Sequence, residues 1–250
     1  MILLVNDDGI DAPGLRTLYA ALRAATGHAV LACAPSAERS GQSQAITLHR
    51  DLAVSDRLDD GFFGFAIDGT PADCVKLALD QLAPEPPALV VSGINDGPNA
   101  GRSIFYSGTL GAAQEAAIAG HAVLAISRVR GPGGFADAAD LAARIAVRLL
   151  AGAGQPGRVV NLNVPATPAS AWQPLRLARH GLGGFRESYR PAGRGSWALQ
   201  GDWETQASSA EDADDAALLT AGHPVISVLR PDVNDTDARA ALAAMGVADA

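Results

Sequence analysis

Cysteine is nearly absent: Cys33 and Cys74 are the only two in 250 residues. They offer neither a disulfide framework nor a metal-ligand spacing, so a reducing cytoplasm is the expected compartment and each thiol reads as a small core residue. Basic residues are in deficit as well. Lys plus Arg number 19 against 27 Asp plus Glu, a net charge of -8, which disfavours binding to duplex nucleic acid or to an acidic membrane surface. No basic leader precedes the first apolar segment, and the most apolar later window, Thr109 to Ser127, is broken by Gln114, Glu115 and His121, so no membrane span is expected. Histidines at 28, 49, 121, 180 and 223 show no ligand spacing. Signature motifs are missing too. No G-x-G-x-x-G follows the first strand, and there is no G-x-x-x-x-G-K-[ST] and no H-E-x-x-H, so dinucleotide oxidoreductases, P-loop NTPases and that class of zinc hydrolase lack support.

What the chain does have is a hydrophobic content of 48%, ample for a core, and a strong opening. Met1-Ile2-Leu3-Leu4-Val5 reads as a strand buried on both faces, and Asn6-Asp7-Asp8-Gly9 follows at once. Neighbours in a strand point to opposite faces, so Asp7 and Asp8 can share a ligand only if the backbone turns between them, which Gly9 permits. A helix from about Pro13 to Thr26 carries an apolar stripe of Leu15, Leu18, Tyr19 and Leu22, and Ala29 to Ala34 is a second strand. This is a β-α-β unit, for which parallel pairing and a right-handed crossover are expected.

The loop 35–43 after the second strand lies on the same sheet edge as Asp7 and Asp8, because both follow strand carboxyl ends, and Ser40 can reach the same cavity. Ile46 to Leu48 and Phe62 to Ile67 read as shorter strands, and Thr70-Pro71 caps a helix to about Leu82. Ala88 to Val91 is the next buried strand. It runs into Ser92-Gly93-Ile94-Asn95-Asp96-Gly97-Pro98-Asn99, placing Asn95 relative to its strand as Asp7 stands to the first. Each polar loop taken singly is ordinary turn chemistry; three of them after three strands are harder to dismiss. Tyr106-Ser107-Gly108-Thr109 opens a helix to about Ala119, and hydroxyls with free N–H groups at a helix start suit a phosphate, though Ser107 also serves as a plain N-cap. A strand at Ala122 to Ser127, a helix at Ala136 to Leu150 and a strand at Val159 to Val164 continue the α/β alternation.

Beyond Pro165 the character changes. Leu175 to Arg179 is strand-like; a glycine- and arginine-rich stretch from Gly181 to Gly195 with a return strand at Ser196 to Leu199 then reads as a projecting hairpin. Phe185, Tyr189 and Trp197 make it too apolar to stand alone in water, which suggests an oligomerisation arm. A helix near Ala210 to Thr220, a strand at Pro224 to Leu229 and a helix from Asp235 to about Met245 close the pattern. The expected architecture is a Rossmann-like three-layer α/β core with a mainly parallel sheet over residues 1–165. Residues 166–250 form a C-terminal part that carries the arm, within what reads as a single structural unit.

Asp7, Asp8, Ser40 and Asn95 together form an all-oxygen set whose two formal negatives match a divalent ion, favouring magnesium, manganese or calcium over zinc. A haloacid-dehalogenase-type phosphatase wants D-x-D at the first strand end, and a phospho-receiver module wants an acceptor Asp after its third strand, where this chain offers Ser92 and Asn95.

Five segments carry a family resemblance: Val5-Asn6-Asp7-Asp8-Gly9-Ile10; Ala34-Pro35 with Glu38-Arg39-Ser40; Gly69-Thr70-Pro71-Ala72-Asp73-Cys74-Val75-Lys76; Ser92-Gly93-Ile94-Asn95 with Gly97-Pro98-Asn99 and Gly101; and Tyr106-Ser107-Gly108-Thr109. In this order they resemble the stationary-phase survival protein SurE family of nucleotidases, densely from residue 1 to about 127 and more loosely afterwards. The resemblance implies a metal-dependent phosphatase acting on nucleoside 5′- and 3′-monophosphates, sometimes on short polyphosphate. Its metal ligands fall on Asp7, Asp8, Ser40 and Asn95. Beside the resemblance, two routes stay open on chemical grounds: one of the two aspartates takes the water's proton, or attacks phosphorus itself. Asn99, Ser107, Gly108 and Thr109 are the candidates for holding the phosphate. It further implies dimers or tetramers built through an exchanged carboxyl-terminal hairpin, although the arm here is richer in glycine than the family pattern.

Overall fold

The computed structural model describes residues 1–59, 61–204 and 213–245. The first half of the chain lays down β1 (Ile2–Val5), α1 (Pro13–Thr26), β2 (Val30–Pro35), β3 (Val54–Asp59), β4 (Phe62–Ile67), α2 (Pro71–Leu77), β5 (Leu89–Asp96) and α3 (Gly108–Ile118). The second half adds β6 (Ala122–Arg128), α4 (Phe135–Arg148), β7 (Arg158–Val164), β8 (Arg176–Leu177), β9 (Gly184–Gly193), β10 (Ser196–Glu204), α5 (Asp215–Thr220), β11 (Val225–Leu229) and α6 (Thr236–Ala244). A nine-stranded sheet runs in the order β3-β4-β2-β1-β5-β6-β7-β11-β8, and β9 and β10 form a separate two-stranded hairpin.

Alternation along β1 divides the core into two layers. Ile2 and Leu4 pack with Leu15, Leu18 and Leu22 of α1 and with Ala142 and Ala146 of α4. Leu3 and Val5 pack on the other face with Val75 of α2 and with Leu110 and Ala113 of α3. A strand covered on both faces has no polar side, which is why β1 reads as a continuous apolar run. The result is the expected three-layer α/β fold. Cys33 and Cys74 belong to the α2–α3 layer, and burial pushes the Cys33 thiol up to about 12 and that of Cys74 up as well, so both behave as apolar residues.

β1 pairs in parallel with β2 on one side and with β5 on the other, Val5 standing opposite Ser92. The chain therefore leaves β1 in one direction and later returns to its opposite flank, and the turns after β1 and β5 face each other across the crevice so created. The register between β5 and β6 shifts between Ser92 and Asn95, an irregularity that re-aims the side chains at the strand end.

Three expectations change. Ile46 to Leu48 is not a strand: the N–H and hydroxyl of Thr47 both donate to the Asp73 carboxylate, at 2.9 and 2.6 Å, instead of entering a ladder, and Ile46 and Leu48 are exposed. The extra strand is β3, antiparallel to β4 at the sheet edge; solvated as it is, Val-Ser-Asp-Arg-Leu-Asp carries no apolar alternation to announce it. Third, β5 continues to Asp96, so residues 92–96 are strand and not loop. Smaller shifts lengthen the return strand of the hairpin to Glu204 and narrow the strand near 175–179 to β8. The start of the helix expected near Ala210 lies outside the described residues, and its described part is α5. No helix among the described residues is long and apolar enough to cross a membrane.

The first turn of α1 presses on β5 and α4: a Cβ added at Gly14 would lie 2.4 Å from the Ile94 carbonyl oxygen and 3.0 Å from Phe135 Cε1. Alanine gains about 1 kcal/mol in helix propensity, but overpacking against a fixed backbone carbonyl costs about 1–3 kcal/mol. Gly14→Ala is therefore expected to lower the urea midpoint; an unchanged or raised midpoint would show that α1 can shift freely.

Candidate active site

Asn6 closes the turn after β1: its amide donates to the Gly9 carbonyl at 2.9 Å and its carbonyl accepts the Gly9 N–H at 3.2 Å. Gly9 sits at φ 104°, so the chain can reverse there and bring Asp7 and Asp8 toward one side. Asp7 is 3% exposed. The Thr109 hydroxyl and backbone N–H both donate to its carboxylate, and Gly108 is pressed against it, since an added Cβ would stand 2.8 Å from Asp7 Cβ and 2.9 Å from Oδ2. Asp8 is held more loosely, its Oδ2 accepting the Asp96 N–H at 3.4 Å.

The remaining donors arrive on three segments. Arg39 N–H donates to the Asp7 carbonyl at 2.8 Å, and Ser43 donates to the Tyr106 and Phe105 carbonyls at 3.0 and 2.8 Å, so the segment carrying Ser40 is stitched to both β1 and the approach to α3. The Ser40 hydroxyl donates to Glu38 Oε1 at 2.8 Å, which leaves its oxygen lone pairs available. The Asn95 amide nitrogen donates to the Gly97 carbonyl at 2.7 Å and so turns its carbonyl oxygen the other way. Asn99 is 5% exposed and locked in place: its N–H donates to Asn163 Oδ1 at 2.8 Å, its amide to Ser127 Oγ at 2.9 Å, and its carbonyl accepts from Asn161 and Asn163. Ser107 caps α3 by accepting the Leu110 N–H at 3.1 Å.

These segments enclose a cleft of about 480 Å³ lined by Asp7, Asp8, Ser40, Asn95, Asn99 and Ser107. Of the residues expected to hold a phosphate, Thr109 is turned away. Fully buried, it spends its hydroxyl on Asp7, and Gly108 serves the close approach of α3 to that same acid. Asp96 and Tyr106, which the quoted motifs contain without a role, and Arg130 and Trp203, which no motif contains, also line the cleft. Arg130 is the only cation among the described lining residues and pairs with Asp96 at 3.3 Å; Arg128 holds the other oxygen of Asp96 at 2.8 Å. Nothing local marks Arg130 or Trp203, because both reach the site from segments whose own patterns are a loop and a hairpin.

Electrostatically the pair of acids is in deficit. Burial raises the Asp7 carboxyl against the opposing hydrogen bond from Thr109. Burial and then repulsion from Asp7 push Asp8 up to about 6. Among the described residues no three His, Cys, Asp or Glu are grouped to hold a metal ion. The donors that do converge are two carboxylates, a hydroxyl and an amide carbonyl. That hard, incomplete oxygen set fits Mg²⁺ or Mn²⁺, ions that keep water or substrate oxygens in their shell.

Comparison with known proteins gives one consistent family. A sequence profile described as "Survival protein SurE" matches residues 2–187. The chain is 42% identical over 253 residues to a "5'-nucleotidase SurE" of Solidesulfovibrio magneticus, covering 97% of this chain and 96% of that protein. It is 38% identical to one of Moorella thermoacetica, covering 98% and 95%. A crystal structure titled as the SurE protein of Aquifex aeolicus superposes with a TM-score of 0.82 at 30% identity over 98% of this chain and 99% of that one.

The raised carboxyl of Asp8 predicts a pH signature for the metal-free protein. In the fold Asp8 keeps its proton up to about pH 6, whereas the unfolded chain releases it near pH 4, so this stabilisation is full below about pH 4 and lost as pH rises through 6. Asp8→Asn is spared that loss. In EDTA its melting temperature is expected to rise relative to the parent by a few degrees between pH 4.5 and 7.5, each 1 kcal/mol shifting a chain this size by roughly 2–4 °C. A difference that stays constant across that range would contradict the assignment.

Proposed function

This chain belongs to the survival protein SurE family, and from that premise we propose that it hydrolyses nucleoside 5′- and 3′-monophosphates to nucleoside and phosphate with the help of one divalent ion. The observation that carries the reading is the convergence of Asp7, Asp8, Ser40 and Asn95 on one cleft at the crevice between β1 and β5. Those four residues would hold Mg²⁺ or Mn²⁺, and Ca²⁺ suits the same oxygens. Once bound, such an ion neutralises a non-bridging phosphoryl oxygen and makes a neighbouring water more acidic.

The protein's own groups divide the rest. Asp7, pinned by Thr109 and Gly108, is the fixed ligand. Asp8, less tightly held, takes the proton of the attacking water. Ser107 presents its hydroxyl at the start of α3, where the helix dipole favours negative charge. Arg130 supplies the cation at the rim, and Asn99, immobile on β6 and β7, orients the phosphate. Short polyphosphate carries the same terminal phosphoryl group and is a secondary substrate on this reading. Two unpaired buried thiols, Cys33 and Cys74, suit the reducing cytoplasm as the working compartment.

The arm fits a role in assembly. Tyr189, Trp197 and Leu199 on β9 and β10 are 69, 66 and 55% exposed, an apolar surface that a homodimer or tetramer would cover.

Phosphate release from 5′-AMP and 3′-AMP is expected to appear with Mg²⁺ or Mn²⁺, to vanish in EDTA, and to fall by about 10²-fold or more in Asp8→Asn. Near-normal turnover in EDTA or in that variant would defeat the reading. Light scattering on the Tyr189→Ser, Trp197→Ser double variant is expected to show a smaller assembly than the parent; an unchanged mass would remove the arm from the interface.

A further inference from the structure

Besides its acids, amides and hydroxyls, the cleft is lined by two aromatic side chains, Tyr106 and Trp203. Tyr106, 58% exposed, stands next to Ser107 at the end of the turn Gly101–Phe105. Trp203 reaches the same cleft from β10, far away in sequence. Its indole is held on two counts: Nε1 donates to Thr220 Oγ1 at 3.2 Å, and the ring packs on the cluster of Ala100, Leu218, Leu219 and Val225, beside Val129. Half-buried and immobilised, the ring has apolar support behind it and the cleft in front. A volume of about 480 Å³ is in the range of small-molecule sites. A polar, acidic end beside a planar apolar wall matches a ligand that joins a phosphate to a flat heterocycle.

We infer that Trp203, with Tyr106, is the nucleobase seat of this cleft. The inference rests on the nucleotidase reading and adds to it that the base contributes to recognition through stacking, on a residue supplied by the arm. Stacking is tolerant of base identity, because every base has a π face, so purine and pyrimidine nucleotides are both accepted.

The test compares AMP with ribose 5-phosphate, which has the same phosphate and sugar but no base. Trp203→Leu keeps apolar filling and removes the aromatic face. It is expected to raise KM for AMP about tenfold, in line with the cost of losing one base–aromatic stack, with kcat within about twofold and with ribose 5-phosphate kinetics unchanged; Trp203→Phe restores most of the loss. Independently, AMP but not ribose 5-phosphate quenches tryptophan fluorescence in the parent, and Trp203→Phe abolishes the quenching, a readout that does not depend on the leucine variant folding. Equal losses on both substrates, or no change in KM for AMP, overturn the base seat and leave the phosphatase reading standing. If the metal-loaded parent releases phosphate from neither compound, the nucleotidase reading itself falls and takes the base seat with it.

Discussion

Two like charges are held side by side where the protein interior meets the cleft, and most of the surrounding structure keeps them there. Asp7 and Asp8 gain nothing from proximity in the metal-free chain: burial raises both, and the field of Asp7 raises Asp8 further. They stay because the backbone is over-determined around them. Asn6 bridges the turn, Gly9 permits it, Arg39 ties the following loop to the Asp7 carbonyl, and α3 delivers Thr109 and a bare Gly108 against the first acid. An electrostatic cost of this kind persists only where a packed scaffold enforces it, and on the proposed function a bound cation would offset it.

Other buried carboxylates act as fasteners for the segments that complete the cleft. Asp73 is buried at a cost, yet hydrogen bonds from Thr47 and Thr70 hold its carboxyl below the usual range; it thereby anchors the segment that runs on from Ser40 to the first turn of α2. Asp215, fully buried, accepts N–H groups from Gly101, Gly181 and Ala216 at 3.2, 3.1 and 2.9 Å and lies 3.5 Å from His180. It therefore binds the turn that bears Tyr106 to the root of the hairpin and to α5. Arg102 adds two more bonds there, from its N–H to Gly183 and from its side chain to Leu182. Through these contacts the geometry of the cleft and the seating of the arm are mechanically one unit.

Legibility followed the range of the interactions. The strand ends and their polar turns stand out in the sequence because strand burial and turn chemistry are local, which is why Asp7, Asp8, Ser40 and Asn95 group by pattern alone. Ile46 to Leu48 has a strand-like pattern but no ladder because Thr47 is claimed by an acid 26 residues away, and β3 has no legible pattern because an edge strand wetted on both faces has no hydrophobic period. Thr109 read as a phosphate ligand from its place at a helix start; its real partner, Asp7, lies 102 residues away.

By itself the sequence determined the layered α/β alternation, the buried β1 and the carboxylates that end it, since apolar periodicity and turn residues act over a few positions. Only the tertiary structure decided that β5 returns to the far side of β1, that Thr109 serves Asp7, and that Trp203 of the hairpin lines the cleft. Those outcomes depend on which surfaces meet across the fold, and such contacts are made by packing between segments whose separation leaves no trace in local pattern.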